Sequence, residues 1–353
     1  MSKHYKIALL PGDGIGPDVT EEAVKILRKV EKELDGVTFE MDEFPVGAGE
    51  YLKNGSPLPE ASIEACRQAD AILLGAMGIP SVRWPDGKEM TPQIDLREIF
   101  QLYNGVRPIY LYHADDTPLK GYEAGDIDFV IVRESTEGLF SARLSQSDPE
   151  KGEVCDVMRI TRAGTERVCR AAFEIAQKRN KYCALVDKAN VLPSMVFMRQ
   201  IFDEVAKDFP DVKTDHIYVD AASLFLVQRP NTFDVLVTEN MFGDILSDLG
   251  AGLIGGMGMA PSADIGDNCA IFQPSHGSAP DIAGKGIANP IATILSAALM
   301  LDWLGDNETK RGGEAIRQAV AKVLSNPANR TSDLGGTVST TTMGDLIVAA
   351  ITL

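Results

Sequence analysis

Cysteine is scarce and never falls into a bonding pattern: Cys66, Cys155, Cys169, Cys183 and Cys269 are scattered, odd in number and nowhere spaced as C-x-x-C. They read as reduced cytosolic thiols, which argues against a disulfide framework or a zinc site. Positive charge is also in short supply. With 34 lysines and arginines against 51 aspartates and glutamates, the formal net charge is −17. Phosphates would be repelled, which argues against sequence-independent nucleic-acid binding, and an anionic ligand needs a local basic pocket. Long hydrophobic runs are missing too. The longest, about 292–304, contains Ser296 and Asp302 and is too short to span a bilayer. The residues from Met1 to Lys6 lead straight into a strand without a signal-peptide pattern. A cytoplasmic protein with no nucleic-acid or membrane partner is the expectation. Neither an internal repeat nor a low-complexity segment is present.

What the chain does have is an ordinary soluble composition, 44% apolar and 24% charged over 353 residues, enough for two domains with substantial cores. Runs at 5–10 (YKIALL), 37–44 and 71–75 read as strands, and helical spacing links Ala23, Ile26, Leu27 and Val30 and recurs over 59–70. This alternation predicts an α/β fold with a largely parallel sheet covered by helices. The first strand leads into Pro11-Gly12-Asp13-Gly14-Ile15-Gly16-Pro17. That is G-x-G-x-G-P, not the dinucleotide-binding G-x-G-x-x-G, and Pro17 removes an amide donor from the helix start. A loop approached by ligand and a plain structural turn both fit it. Residues 77–93, with Pro80, Pro85, Gly87 and Pro92, form a long loop of the functional or disordered kind.

Charged residues gather at element ends. Arg97 sits on a helix over 93–103, Arg107 opens the strand 109–112, and Arg133 closes the strand 129–134. Singly each reads as a surface charge; together they form a fork for planar carboxylates. Lys188 follows the strand 182–187 and reads as a solvated charge or a buried base of lowered pKa. Asp220 ends the strand 216–220, and ligands of open α/β sheets gather at such ends. After the strand 233–237, Gly243 marks a break; Asp244 starts a helix whose next turn carries Asp248. An acidic i,i+4 pair either clamps a hard cation or stays a solvated edge, and the glycine-rich stretch that follows favours an active-site wall. The loop 273–290 exposes backbone, and Asp281 in it offers a carboxylate to a ribose diol. Beyond it the chain is helix-rich, with Gly312-Gly313 and 331–336 as breaks, while His4, His113 and His216 read as structural or exposed.

In this order LLPGDGIGPDV, LRE…LYNGVRP, VRESTEGLF, VDKANVL, VDAAS, TENMFGDILSD, HGSAPDIAGKGIANP and TSDLGG resemble, over nearly the whole chain, the β-decarboxylating dehydrogenases. That is the family of isopropylmalate, isocitrate, homoisocitrate and tartrate/D-malate dehydrogenases. The resemblance implies two domains sharing one continuous mixed sheet, not a Rossmann fold. It places a cofactor-side domain at 1–102 plus 253–353 and a dimerisation and catalytic domain at 103–252, with a protruding arm near 141–156. It also implies NAD, Mg²⁺ or Mn²⁺, and a homodimer with shared active sites. The implied reaction is oxidation at C2 and loss of CO₂ from a 3-substituted malate, a small 2-hydroxy diacid, nominally 3-isopropylmalate.

Residue by residue, Arg97, Arg107 and Arg133 match the arginines that hold the malate carboxylates, and Gln93, Ile94, Asn190 and Val191 fall at substrate positions. Asp244 and Asp248 match metal ligands of one subunit; Asp220 (also a ligand) and Lys188 match catalytic groups given by the other. Ile15, His276, Gly277, Ser278, Ala279, Asp281 and Asn289 match the NAD site, with Asp281 suited to an unphosphorylated ribose. The sequence departs at four places. Phe140 stands where the family has its proton-donating tyrosine, Gln93 where isopropylmalate enzymes carry leucine, and Met90 and Gln273 replace glutamates. Tartrate/D-malate or isocitrate-type chemistry, and a non-catalytic regulatory subunit, therefore stand as alternatives.

Overall fold

The computed structural model describes residues 3–143, 152 and 154–353; most of the arm expected near 141–156 lies outside them. In chain order the elements are β1 (Lys3–Gly12), α1 (Gly16–Glu31), β2 (Val37–Glu43), α2 (Ala48–Asn54), α3 (Glu60–Gln68) and β3 (Ala71–Ala76). Next come α4 (Pro92–Ile99), β4 (Asn104–Tyr110), β5 (Asp128–Glu134), α5 (Arg162–Gln177), β6 (Tyr182–Asp187) and α6 (Pro193–Ala206). Then β7 (Lys213–Tyr218), α7 (Val219–Gln228), β8 (Val235–Thr238), α8 (Asn240–Gly252), β9 (Pro261–Ile265) and β10 (Ala270–Pro274) follow. The chain ends in α9 (Ile291–Leu304), α10 (Asn307–Leu324) and α11 (Thr340–Ala350). Among the described residues no helix is long and apolar enough to cross a membrane.

The strands form a single mixed sheet of ten, ordered β2-β1-β3-β10-β9-β4-β5-β8-β6-β7. Its flanks are parallel and covered by helices, so the inner strands β3, β6 and β8 are buried on both faces, while the edge strands β2 and β7 keep exposed polar residues. Its centre is antiparallel, where β10, β9, β4 and β5 pair in turn. Strands from the two chain ends (β2, β1, β3, β10, β9) occupy one side and strands from the middle of the chain the other. The junction is the β9–β4 pair, with Gly105 opposite Asp264.

Local chemistry explains the helices. Pro17 stands in the first turn of α1, and Val19, Ala23, Ile26, Leu27 and Val30 are buried along one stripe. Asp306 caps α10 by accepting from the amides of Glu308 and Thr309 at 2.7 and 3.0 Å.

Several expected boundaries move. Gly243 breaks nothing: α8 begins at Asn240, capped by the buried Glu239 through the Phe242 amide at 2.6 Å, so Asp244 lies in its second turn. A Cβ at Gly243 would come within 2.7 Å of the Arg133 side chain, so the glycine lets α8 pack onto β5. Gly312 and Gly313 likewise lie inside α10, where a Cβ at Gly312 would meet Val30 Cγ1 at 2.7 Å. Close helix packing has outweighed helix propensity there. Asp220 sits in the first turn of α7, one residue past its start, and Arg107 lies in the middle of β4.

Candidate active site

The antiparallel centre of the sheet carries the site. On β4 successive side chains face opposite ways, which sends Arg107 to the face where α4 brings Arg97 and β5 brings Arg133. All three arginines line a cavity of about 250 Å³ together with Gln93, Ile94, Phe140, Asp244, Asp248, His276 and Gly277. Residues far apart in the chain thus meet where strands of both sides of the sheet pair.

Arg97 and Arg107 share one carboxylate that the sequence reading missed. Asp264, on β9 with no solvent exposure, accepts from Arg97 Nε at 2.9 Å and from Arg107 Nη2 at 3.0 Å. Gln273 Nε2 adds a bond at 2.7 Å and Ser135 Oγ one at 3.3 Å. Burial alone would raise this carboxyl, but the charges of Arg107, Arg97 and Arg133 hold it well below the usual carboxylate range. The one available signal was an acid inside the short, otherwise small and apolar segment PSADI.

Arg133 is bound differently. Its Nε and Nη2 donate to Asn240 Oδ1 at 2.9 and 2.7 Å, and its Nη1 pairs with Asp244. Asn240, also absent from the sequence reading, thereby ties the start of α8 to the arginine. Burial and then the neighbouring Arg97 push the Arg133 guanidinium down to about 10, so it stays charged at neutral pH. Its Cζ lies 5.3 Å from the Phe140 ring, and that ring has no proton to give. Asp248 is one helical turn beyond Asp244; partial burial, then the Asp244 charge, raise it above the ordinary carboxylate range.

Two polar atoms of the cavity wall are buried without a partner among the described residues: Gln93 Oε1 and His276 Nε2. His276 Nδ1 donates to the Gly277 carbonyl at 2.9 Å, and burial pushes the imidazole below its ordinary value, so a neutral ring presents Nε2 as a bare acceptor. The loop behind it docks on the first glycine turn, where Ile15 N donates to Ser278 O at 2.8 Å. Ser278 Oγ reaches the Gly78 carbonyl, and Ala279 takes a left-handed φ of 38°. Asp281 stands exposed further out, while Asn289 is buried and bonded to Asp333 at 3.1 Å.

Lys188 and Asp220 are brought together, Nζ to Oδ1 at 2.7 Å, but they do not line this cavity. That contact lowers the Asp220 carboxyl. Asn190 and Val191 follow Lys188 on a separate shallow hollow with Val196 and Phe197. Among the described residues no cluster of three or more His, Cys, Asp or Glu side chains is placed to hold a metal ion.

Comparison with known proteins identifies the family. Residues 6–347 match the family described as isocitrate/isopropylmalate dehydrogenase. The chain is 46% identical to the 3-isopropylmalate dehydrogenase of Thermotoga maritima, over 97% of this chain and 98% of that protein. It is 43% identical to the 3-isopropylmalate dehydrogenase of Aquifex aeolicus, over 94% and 92% respectively. The crystal structure of isocitrate dehydrogenase from Methylococcus capsulatus aligns with a TM-score of 0.87 at 37% identity, covering 98% of this chain and 99% of that one. With the match running along almost the whole length and the fold shared, the chain belongs to the isocitrate/isopropylmalate dehydrogenase family.

Proposed function

We propose that the protein catalyses NAD- and divalent-cation-dependent oxidative decarboxylation of a 3-substituted malate, nominally 3-isopropylmalate. The observation that carries this is the convergence of Arg97, Arg107 and Arg133 with Asp244 and Asp248 on one cavity. The chemistry of the donors fits the absent groups. Asp244 and Asp248 would be hard oxygen ligands for Mg²⁺ or Mn²⁺, and the bare His276 Nε2 would be an acceptor for a hydroxyl or amide of a nucleotide cofactor. When bound, the cation supplies a Lewis acid and NAD a hydride acceptor.

The chain's own residues do the rest. The arginines hold the carboxylates, with Arg97 offering terminal nitrogens that have no protein acceptor among the described residues. Lys188, oriented by Asp220 and acting as the neutral amine once its own proton has passed to solvent, takes the C2 hydroxyl proton at Nζ. Phe140 leaves reprotonation of C3 to water or Lys188.

Lys188, Asp220, Asn190 and Val191 reach the cavity of another copy in this reading, so the active unit is a homodimer. Leu224, Val227 and Ile245 support it: they are 52%, 44% and 58% exposed on α7 and α8, beside Asp220 and Asp244. The division into 1–102 with 253–353 against 103–252 belongs to the same proposal and is supported by the strand order. A cytoplasmic setting fits its need for NAD. One observation favours a second reading, a regulatory subunit: the donor-free Phe140 in the cavity wall. NAD⁺ reduction with Mn²⁺ over isopropylmalate, isocitrate, D-malate and tartrate tests the choice, and no turnover on any of them would sink the enzyme.

A further inference from the structure

Asp264 is fully buried, yet both of its oxygens are committed to the cavity's arginines and to Gln273. Among the described residues Arg97 is engaged only through Nε, so Asp264 fixes the guanidinium plane while leaving the outer nitrogens to a ligand. Its charge matters as much as its geometry. Among the described residues the cavity lining holds no lysine and no arginine besides Arg97, Arg107 and Arg133. Asp264 cancels one of these positive charges from behind, in a place solvent cannot screen. The charges of Asp244 and Asp248 are taken up by the cation proposed above, and the Lys188–Asp220 pair is neutral as a unit. Two unbalanced positive charges remain. The rest of the wall adds no further cation for a third carboxylate among the described residues: Ile94 is apolar, and Gln93, Ser262 and Ser275 are neutral.

We propose that Asp264 is a specificity-determining positioning residue, which aims Arg97 at the ligand and fits the site to dicarboxylates, disfavouring a malate whose 3-substituent bears a further ionised carboxylate. This rests on the dehydrogenase reading. The test measures equilibrium binding and kcat/KM for D-malate, 3-isopropylmalate and isocitrate. The wild type is expected to favour the two dicarboxylates, and Asp264→Asn to move the ratio about tenfold toward isocitrate, the effect of removing one nearby buried charge. The exchange Asp264→Asn with Gln273→Glu keeps the composition of charge and the bond between the two side chains, but shifts the carboxylate off the arginine fork. With the charge returned to the cavity wall, it is expected to recover folding lost in the single variant and to bring the ratio back toward the wild-type value, whereas a merely structural role would leave the ratio unmoved in both variants.

A wild type that prefers isocitrate, or a folded Asp264→Asn variant with an unmoved ratio, would overturn the proposal, as would a folded exchange variant that keeps the ratio of the single one. The two readings separate cleanly. A wild type that neither binds nor turns over any of the three compounds removes the dehydrogenase reading and this inference with it. An active wild type whose folded Asp264→Asn variant keeps the ratio removes this inference alone.

Discussion

The arginine side and the acid side of the cavity are built on opposite principles. On the arginine side Asp264 is sealed from solvent and bonded by Arg97, Arg107, Gln273 and Ser135, so its partners are fixed within one chain. On the acid side Asp244 is 47% exposed and holds a single arginine, and Asp248 adds a second carboxylate with no cation of its own among the described residues. A buried, multiply bonded ion pair is costly to break and poor at exchanging partners. A half-exposed one trades partners readily. One side is thus scaffold and the other a place for an incoming cation and for groups from another copy.

The largest expected effect lies on the side that the single chain leaves incomplete. Lys188→Ala is expected to lower kcat about 1,000-fold, the range of a lost general base, with unfolding by urea unchanged. A loss of stability matching the loss of rate would remove the distinction between the two sides. Asp264→Asn strands two buried guanidiniums and is expected to cost about 3 kcal/mol, read from urea midpoints. Since its carboxyl is depressed in the folded state, that contribution is present above the ordinary aspartate pKa of about 3.9 and fades as pH falls below it. The stability gap between wild type and variant should therefore narrow in acid; a constant gap would mean charge is not its source.

Asp244→Asn keeps an oxygen for Arg133, so it is expected to lose about 100-fold in activity and most of its Mn²⁺ dependence at a stability cost of about 1 kcal/mol or less. Leu224→Glu places a charge on the exposed apolar face of α7 and is expected to convert dimer to monomer in sedimentation, with activity falling in step. The smallest effect is expected from Phe140→Tyr. Restoring a phenol beside Arg133 should raise CO₂ release by only a few-fold, and an unchanged rate would show that reprotonation is not limiting.

The parallel flanks were legible because β1, β3 and β6 each hold an apolar run (IALL, AILL and CALV) between helices of clear 3.6-residue spacing. The antiparallel centre was not. β9 is only five residues with a proline and a serine, and nothing local marks PSADI as a strand until β10 and β4 pair with it. Gly243 and Gly312 misled for a related reason: locally they signal a break, and only the neighbouring Arg133 and Val30 side chains show why each helix continues.

The site followed the same division. Residue type and order alone determined the arginines, the acidic pair, the lysine–aspartate couple and the family they resemble, because each must be present as a specific chemical group. The tertiary structure decided which of them share a cavity, that Asp264 (itself bonded by Gln273) and Asn240 hold the arginines, and that Lys188 and Asp220 stand apart from Asp244 within one chain. Those are matters of distance across a ten-stranded sheet, between residues as far apart in the chain as Arg97 and Asp264, 167 positions, and no local propensity encodes them.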